Sequence, residues 1–92
     1  PVPAVLSLAG AQPNPARGPG LRVTFTLPSP APARLQLIDV TGRRLLARDV
    51  GEVGVGRHSL DLAPGRRLEP GLYWLRLEQG GREVRARVAV VE

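Results

Sequence analysis

The sequence predicts an all-β protein: an antiparallel β-sandwich of immunoglobulin-like type with about seven strands. Three observations carry this. Apolar residues alternate with polar ones at period two through Leu21-Val23-Phe25-Leu27, through Leu35-Leu37, and through Val84-Ala86-Val88-Val90. Turn signals built from Gly, Pro, Asn and Asp recur roughly every eight to twelve residues. No stretch sustains a helical period for long.

The chain has 92 residues, enough for one domain with its own core. At this size only about 60–65% of the unfolded surface is hidden on folding, so stability depends on stiff loops. Ten prolines supply that stiffness, and the absence of cysteine excludes a disulfide and leaves the redox compartment open. Residues 1–4, PVPA, are expected to be the end of a linker from an upstream domain, with the sandwich over residues 5–92. No apolar run approaches the ~20 residues that a membrane helix needs, so no transmembrane segment is expected.

In chain order, Val5–Leu8 is a short apolar piece, expected as an edge strand, and the following AGAQPNPARGPG is too rich in Pro and Gly for regular structure. Residues 21–27 form the clearest half-buried strand. PSPAPA at 28–33 is a stiff connection of ordinary loop length. Arg34–Leu46 then reads as a β-hairpin: Asp39 is placed to bond turn N–H groups, and Gly42 supplies the positive φ of a tight reversal. The return strand runs to Val50, and the GEVGVG loop follows. A further strand puts His58, Leu60 and Leu62 on one face, and APGRRLEPG leads to Leu72–Gln79. Gly80-Gly81 turns the chain into a last strand, Glu83–Val91. The expected core is Val23, Phe25, Leu35, Leu37, Leu60, Leu75, Leu77, Val88 and Val90. Tyr73 faces inward with Leu75 and Leu77, and Trp74 faces outward with Arg76.

Catalysis finds little to build on. His58, the single histidine, lies on a strand beside core leucines, and Ser59 points away from it, so no nucleophile–base pair forms. Asp39, Asp49 and Asp61 sit at strand ends or on strands, where turn and surface duties explain them. The glycines at 51, 54 and 56 do not match the dinucleotide pattern, and a strand follows where a helix is needed. No residue spacing suggests zinc or calcium, and no cofactor is expected.

The net charge of +5 comes from 13 arginines and no lysine against eight acids. These arginines are scattered along strands and interleaved with the acids, and three aromatics offer little for base stacking, so nucleic acid is not the expected partner. Trp74, with Arg76, Arg85 and Arg87 near it on the outer face of the last two strands, is the candidate surface-binding group.

Three motifs then occur in one order: Pro13-Asn14-Pro15, then Ile38-Asp39-Val40-Thr41-Gly42-Arg43 in the hairpin, then Gly71-Leu72-Tyr73 opening the penultimate strand. With the valine-rich last strand, the chain resembles the type A C-terminal sorting domains of the type IX secretion system, which are immunoglobulin-like sandwiches. The resemblance implies a non-catalytic domain that directs a secreted passenger, often a hydrolase, across the outer membrane and attaches it to the cell surface. Its partners would be the secretion machinery, outer-membrane surface components and a covalently linked upstream domain. Asp39, Gly42 and Arg43 would form the family hairpin, and Gly71 and Tyr73 the second motif. The chain also resembles the related immunoglobulin-like domain of flagellar hook-capping proteins. A different reading of the same strands is a carbohydrate-binding or spacer module of an extracellular polysaccharide-degrading enzyme.

Overall fold

Period-two alternation becomes a strand wherever one apolar face can be buried. The computed structural model, which describes residues 5–11 and 15–91, contains eight such strands. They are β1 (Ser7–Ala11), β2 (Ala16–Arg17), β3 (Arg22–Leu27), β4 (Ala33–Asp39), β5 (Arg44–Asp49), β6 (Gly56–Asp61), β7 (Gly71–Gln79) and β8 (Arg82–Val91), with a 3₁₀ turn at Gly51–Val53. The strands make two sheets, one of three strands in the order β1-β3-β6 and one of five in the order β2-β8-β7-β4-β5. Every pairing is antiparallel except that of β2 with the end of β8, which is parallel. The molecule is thus the all-β sandwich that the sequence predicts.

The two sheets bury their alternating faces on each other. Leu35 and Leu37 of β4, Leu75 and Leu77 of β7 and Val88 of β8 meet Val23, Phe25 and Leu27 of β3, all essentially excluded from water. Each such side chain contributes roughly 1.5–3 kcal/mol through the water it sheds. Leu60, expected in this set, is only half-buried, because β6 is an edge strand and its inner face lies at the rim of the sandwich. The core extends past the strands. Leu21, Val50 and Leu62, each next to a strand end, and Leu68 in the loop before β7 are all buried.

The segment expected to lack regular structure contains the end of one strand and the whole of another. β1 starts two residues later than expected and runs through Ala11, pairing with β3 across a bulge between Leu8 and Gly10. β2 pairs Ala16 with Val90 and Arg17 with Val91. A proline cannot donate to a ladder, yet a two-residue edge strand beginning just after Pro15 needs no donor from it. The unexpected β2 raises the count from about seven to eight.

The proline-rich connection before β4 is held from the side. Gln79, buried at the end of β7, donates from Nε2 to the carbonyls of Ser29 (3.0 Å) and Ala31 (2.8 Å). Val50 N–H donates to the Ala33 carbonyl at 2.9 Å, so both ends of the β4–β5 unit are tied to the same corner. At the opposite corner Asp61 Oδ1 accepts from the N–H groups of Leu21 (2.8 Å) and Ala63 (3.0 Å).

Candidate functional site

The β4–β5 turn is built around one carboxylate. Asp39 Oδ1 accepts from Thr41 N–H (2.9 Å), the Thr41 hydroxyl (2.6 Å) and Arg43 N–H (3.0 Å). Its backbone completes the reversal, donating to the Arg43 carbonyl at 2.9 Å and accepting from Gly42 N–H at 3.0 Å. Gly42 has a φ of 89°, a region that a side chain would oppose. The Thr41 hydroxyl above all, with the two N–H groups and the Arg43 charge, holds the Asp39 carboxyl below the ordinary carboxylate range. After the turn, Arg44 pairs with Ile38 and Leu46 with Leu37, which leaves Leu45 as the extra residue of a bulge and packs it against the core margin.

Tyr73 stands directly across the ladder from Asp39. Its ring is buried, and its hydroxyl donates to the Glu69 carbonyl at 2.5 Å, pinning the loop before β7 onto the sheet. Burial first, then the charges of Glu69 and Asp39, push the phenol up from its usual value.

These elements enclose a cleft of about 460 Å³ at one end of the sandwich, between the Asp39–Arg43 turn, Leu45 and the segment from Arg66 to Tyr73. The hairpin motif and the Gly71–Tyr73 motif, some thirty residues apart in sequence, therefore share one site. Pro13 and Asn14 of the remaining motif, and the linker at residues 1–4, lie outside the described residues; Pro15 is exposed just before β2. Among the described residues, the guanidinium groups of Arg43, Arg66 and Arg67, which line the cleft, form no ion pair.

The outer face of the five-stranded sheet carries the surface-binding candidates in register, Trp74 opposite Arg87 and Arg76 opposite Arg85. Arg76 binds Glu78 at 3.1 Å and Glu83 at 2.6 Å, while Arg85 binds Glu83 at 2.7 Å. The hydrogen bond from Arg85, more than the nearby Arg76 charge, draws the Glu83 carboxyl below its usual range. Arg87 lies over the Trp74 ring, 5.8 Å from its centroid, yet Trp74 remains 41% exposed. A depression of about 210 Å³ beside it is lined by Ile38, Asp39, Val40, Gly42, Trp74 and Arg85.

The remaining polar candidates stand apart. Asp49 faces Arg34 at the far end of the β4–β5 hairpin from Asp39, and Asp61 is in the other sheet. His58 Nε2 is 2.9 Å from the Gly54 carbonyl, so this nitrogen carries the proton, and its ring packs 5.9 Å from Phe25. The Ser59 hydroxyl is bonded to Thr24 at 2.7 Å. No helix among the described residues is long and apolar enough to cross a membrane.

No protein-family model and no curated protein matches the chain. Sequence reasoning nominated the paired arginines of the outer face and missed Arg66 and Arg67. Their signal was the doublet itself, a few residues before the Gly71–Tyr73 motif.

Proposed function

We propose that this is a non-catalytic C-terminal sorting and attachment domain that addresses a secreted passenger, such as a hydrolase, to the type IX pathway and the outer cell surface. The observation that carries the reading is the pairing of Asp39 with Tyr73. It brings two of the three motifs that carry the resemblance to one cleft, where a receptor would meet both at once. The sandwich is a suitable carrier, since it presents turns and a sheet face to a partner and needs no chemistry of its own. Its partners in this reading are the secretion machinery, outer-membrane surface components and the upstream domain.

The test is to fuse the 92 residues to a secreted reporter in a cell that carries the pathway. Delivery of the reporter to the surface only when the domain is present supports the reading. Equal delivery without the domain, or retention of the fusion inside the cell, sinks it. A carbohydrate-binding module is the second reading, favoured by the 41% exposure of Trp74. Retention of the isolated domain on insoluble polysaccharide, lost in Trp74→Ala, would select it instead.

A further inference from the structure

The cleft and the depression beside Trp74 adjoin at Asp39 and Val40, which line both, and together they offer a groove at this end of the sandwich. Along it lie Val40, 68% exposed, Leu72, 49% exposed, and Trp74. Apolar residues scattered singly on a surface are ordinary, whereas three gathered on one strip mark a contact surface. The charges beside the strip differ from those further down the same face. There, Arg34, Arg76 and Arg85 are each matched by a carboxylate. At the cleft, Arg43, Arg66 and Arg67 have no such match among the described residues, and of the two acids lining it, Asp39 is engaged by its own turn. Three arginines against Asp39 and Glu69 leave the lining with an excess of positive charge, and guanidinium groups outside any ion pair beside an aliphatic strip complement a ligand that carries carboxylates next to aliphatic groups.

Spacing narrows the class. Leu72 and Trp74 are two residues apart on β7, about 6.6–6.8 Å, which is also the repeat of alternate side chains in any extended polypeptide. A sugar polymer would instead need open aromatic faces, and Arg87 covers one face of the single tryptophan. We infer that the groove binds an extended polypeptide segment in which Asp or Glu alternates with aliphatic residues. Its carboxylates meet Arg43, Arg66 and Arg67, and its aliphatic side chains meet Val40, Leu72 and Trp74. The inference deepens the reading of this end as the recognition surface and rests on it.

The test uses the purified 92-residue chain and a short fluorescein-labelled peptide alternating Asp or Glu with Val or Leu, followed by fluorescence anisotropy. Saturable micromolar binding that weakens with salt is expected. Arg66→Gln with Arg67→Gln, and separately Leu72→Asn, should each weaken it about tenfold, while Arg57→Gln on β6 leaves it unchanged. Circular dichroism and thermal midpoints establish that the variants fold as the parent does. Absence of saturable binding overturns the inference, as does equal binding of a peptide with Lys in place of the acids or of polyglutamate lacking aliphatic groups. Tighter binding of polygalacturonate than of the peptide assigns the groove to polysaccharide and overturns it as well. So does a concentration-dependent dimer that the peptide fails to dissociate. Peptide binding by a domain that does not export its reporter sinks the sorting reading alone.

Discussion

Asp39 and Tyr73 face each other across the β4–β7 ladder, one organising a turn through its carboxylate and the other fixing a loop through its hydroxyl. Two local devices, each with its own sequence signal, are joined by the sheet into one end of the molecule. The consequences can be tested separately.

Asp39→Ala removes the acceptor of three hydrogen bonds in the turn. The thermal midpoint should fall by several degrees, with Asp39→Asn falling less because an amide oxygen still accepts. A midpoint in Asp39→Ala equal to that of the parent would remove the carboxylate from its organising role.

Tyr73→Phe keeps the buried ring and leaves the Glu69 carbonyl without its donor. The expected loss is roughly 1 kcal/mol in denaturant unfolding, with faster proteolysis between Arg66 and Pro70. Cleavage at the parent's rate would mean that the hydroxyl does not hold the loop.

Acid stability should follow Asp39 and Glu83, whose carboxyls are held below their usual range. The folded-state values are lower than the unfolded ones, so the stabilisation is present above the ordinary carboxylate range and is lost as pH falls through the folded-state values. Tyr73 acts with the opposite sign. Its raised value keeps stability intact below the pKa of an unfolded phenol, and that stability is lost as pH rises through the folded one. Midpoints measured across pH should show the acid limb flattened in Asp39→Asn with Glu83→Gln; an unaltered limb refutes the assignment.

Two glycines of similar φ should respond differently to alanine. Gly42, at 89°, has open space where an added methyl would lie, so Gly42→Ala meets only the backbone penalty, roughly 1 kcal/mol. Gly20, at 87°, would place its Cβ 2.6 Å from Asp61 Oδ2, and Asp61 holds the Leu21 and Ala63 N–H groups. Gly20→Ala should therefore cost more, roughly 2–3 kcal/mol. Equal losses in the two variants would show that the Asp61 corner yields freely.

Strands β3, β4, β7 and β8 were legible because each alternates cleanly and buries one face. The inward Tyr73 and the outward Trp74 followed from the same parity. β1 was legible only as far as Leu8, and its end and β2 were hidden, since the composition of residues 9–20 argues for loop. Leu21, Val50, Leu62 and Leu68 fill the ends of the sandwich, where no periodicity announces burial. The cleft was half legible. Asp39, Gly42, Arg43, Gly71 and Tyr73 were named from motifs, but bringing Arg66 and Arg67 to them needs the loop to fold back onto β7, which only the three-dimensional path supplies.

The Gln79 clamp bears on cooperativity. Because a buried side chain from β7 grips two carbonyls of the Ser29–Ala31 connection, that segment cannot open alone without stranding the amide in a site with little water. This stiff connection is thereby bound to the unfolding of the whole domain. Mechanical load passed through the chain would thus meet one barrier at this corner, not a soft joint.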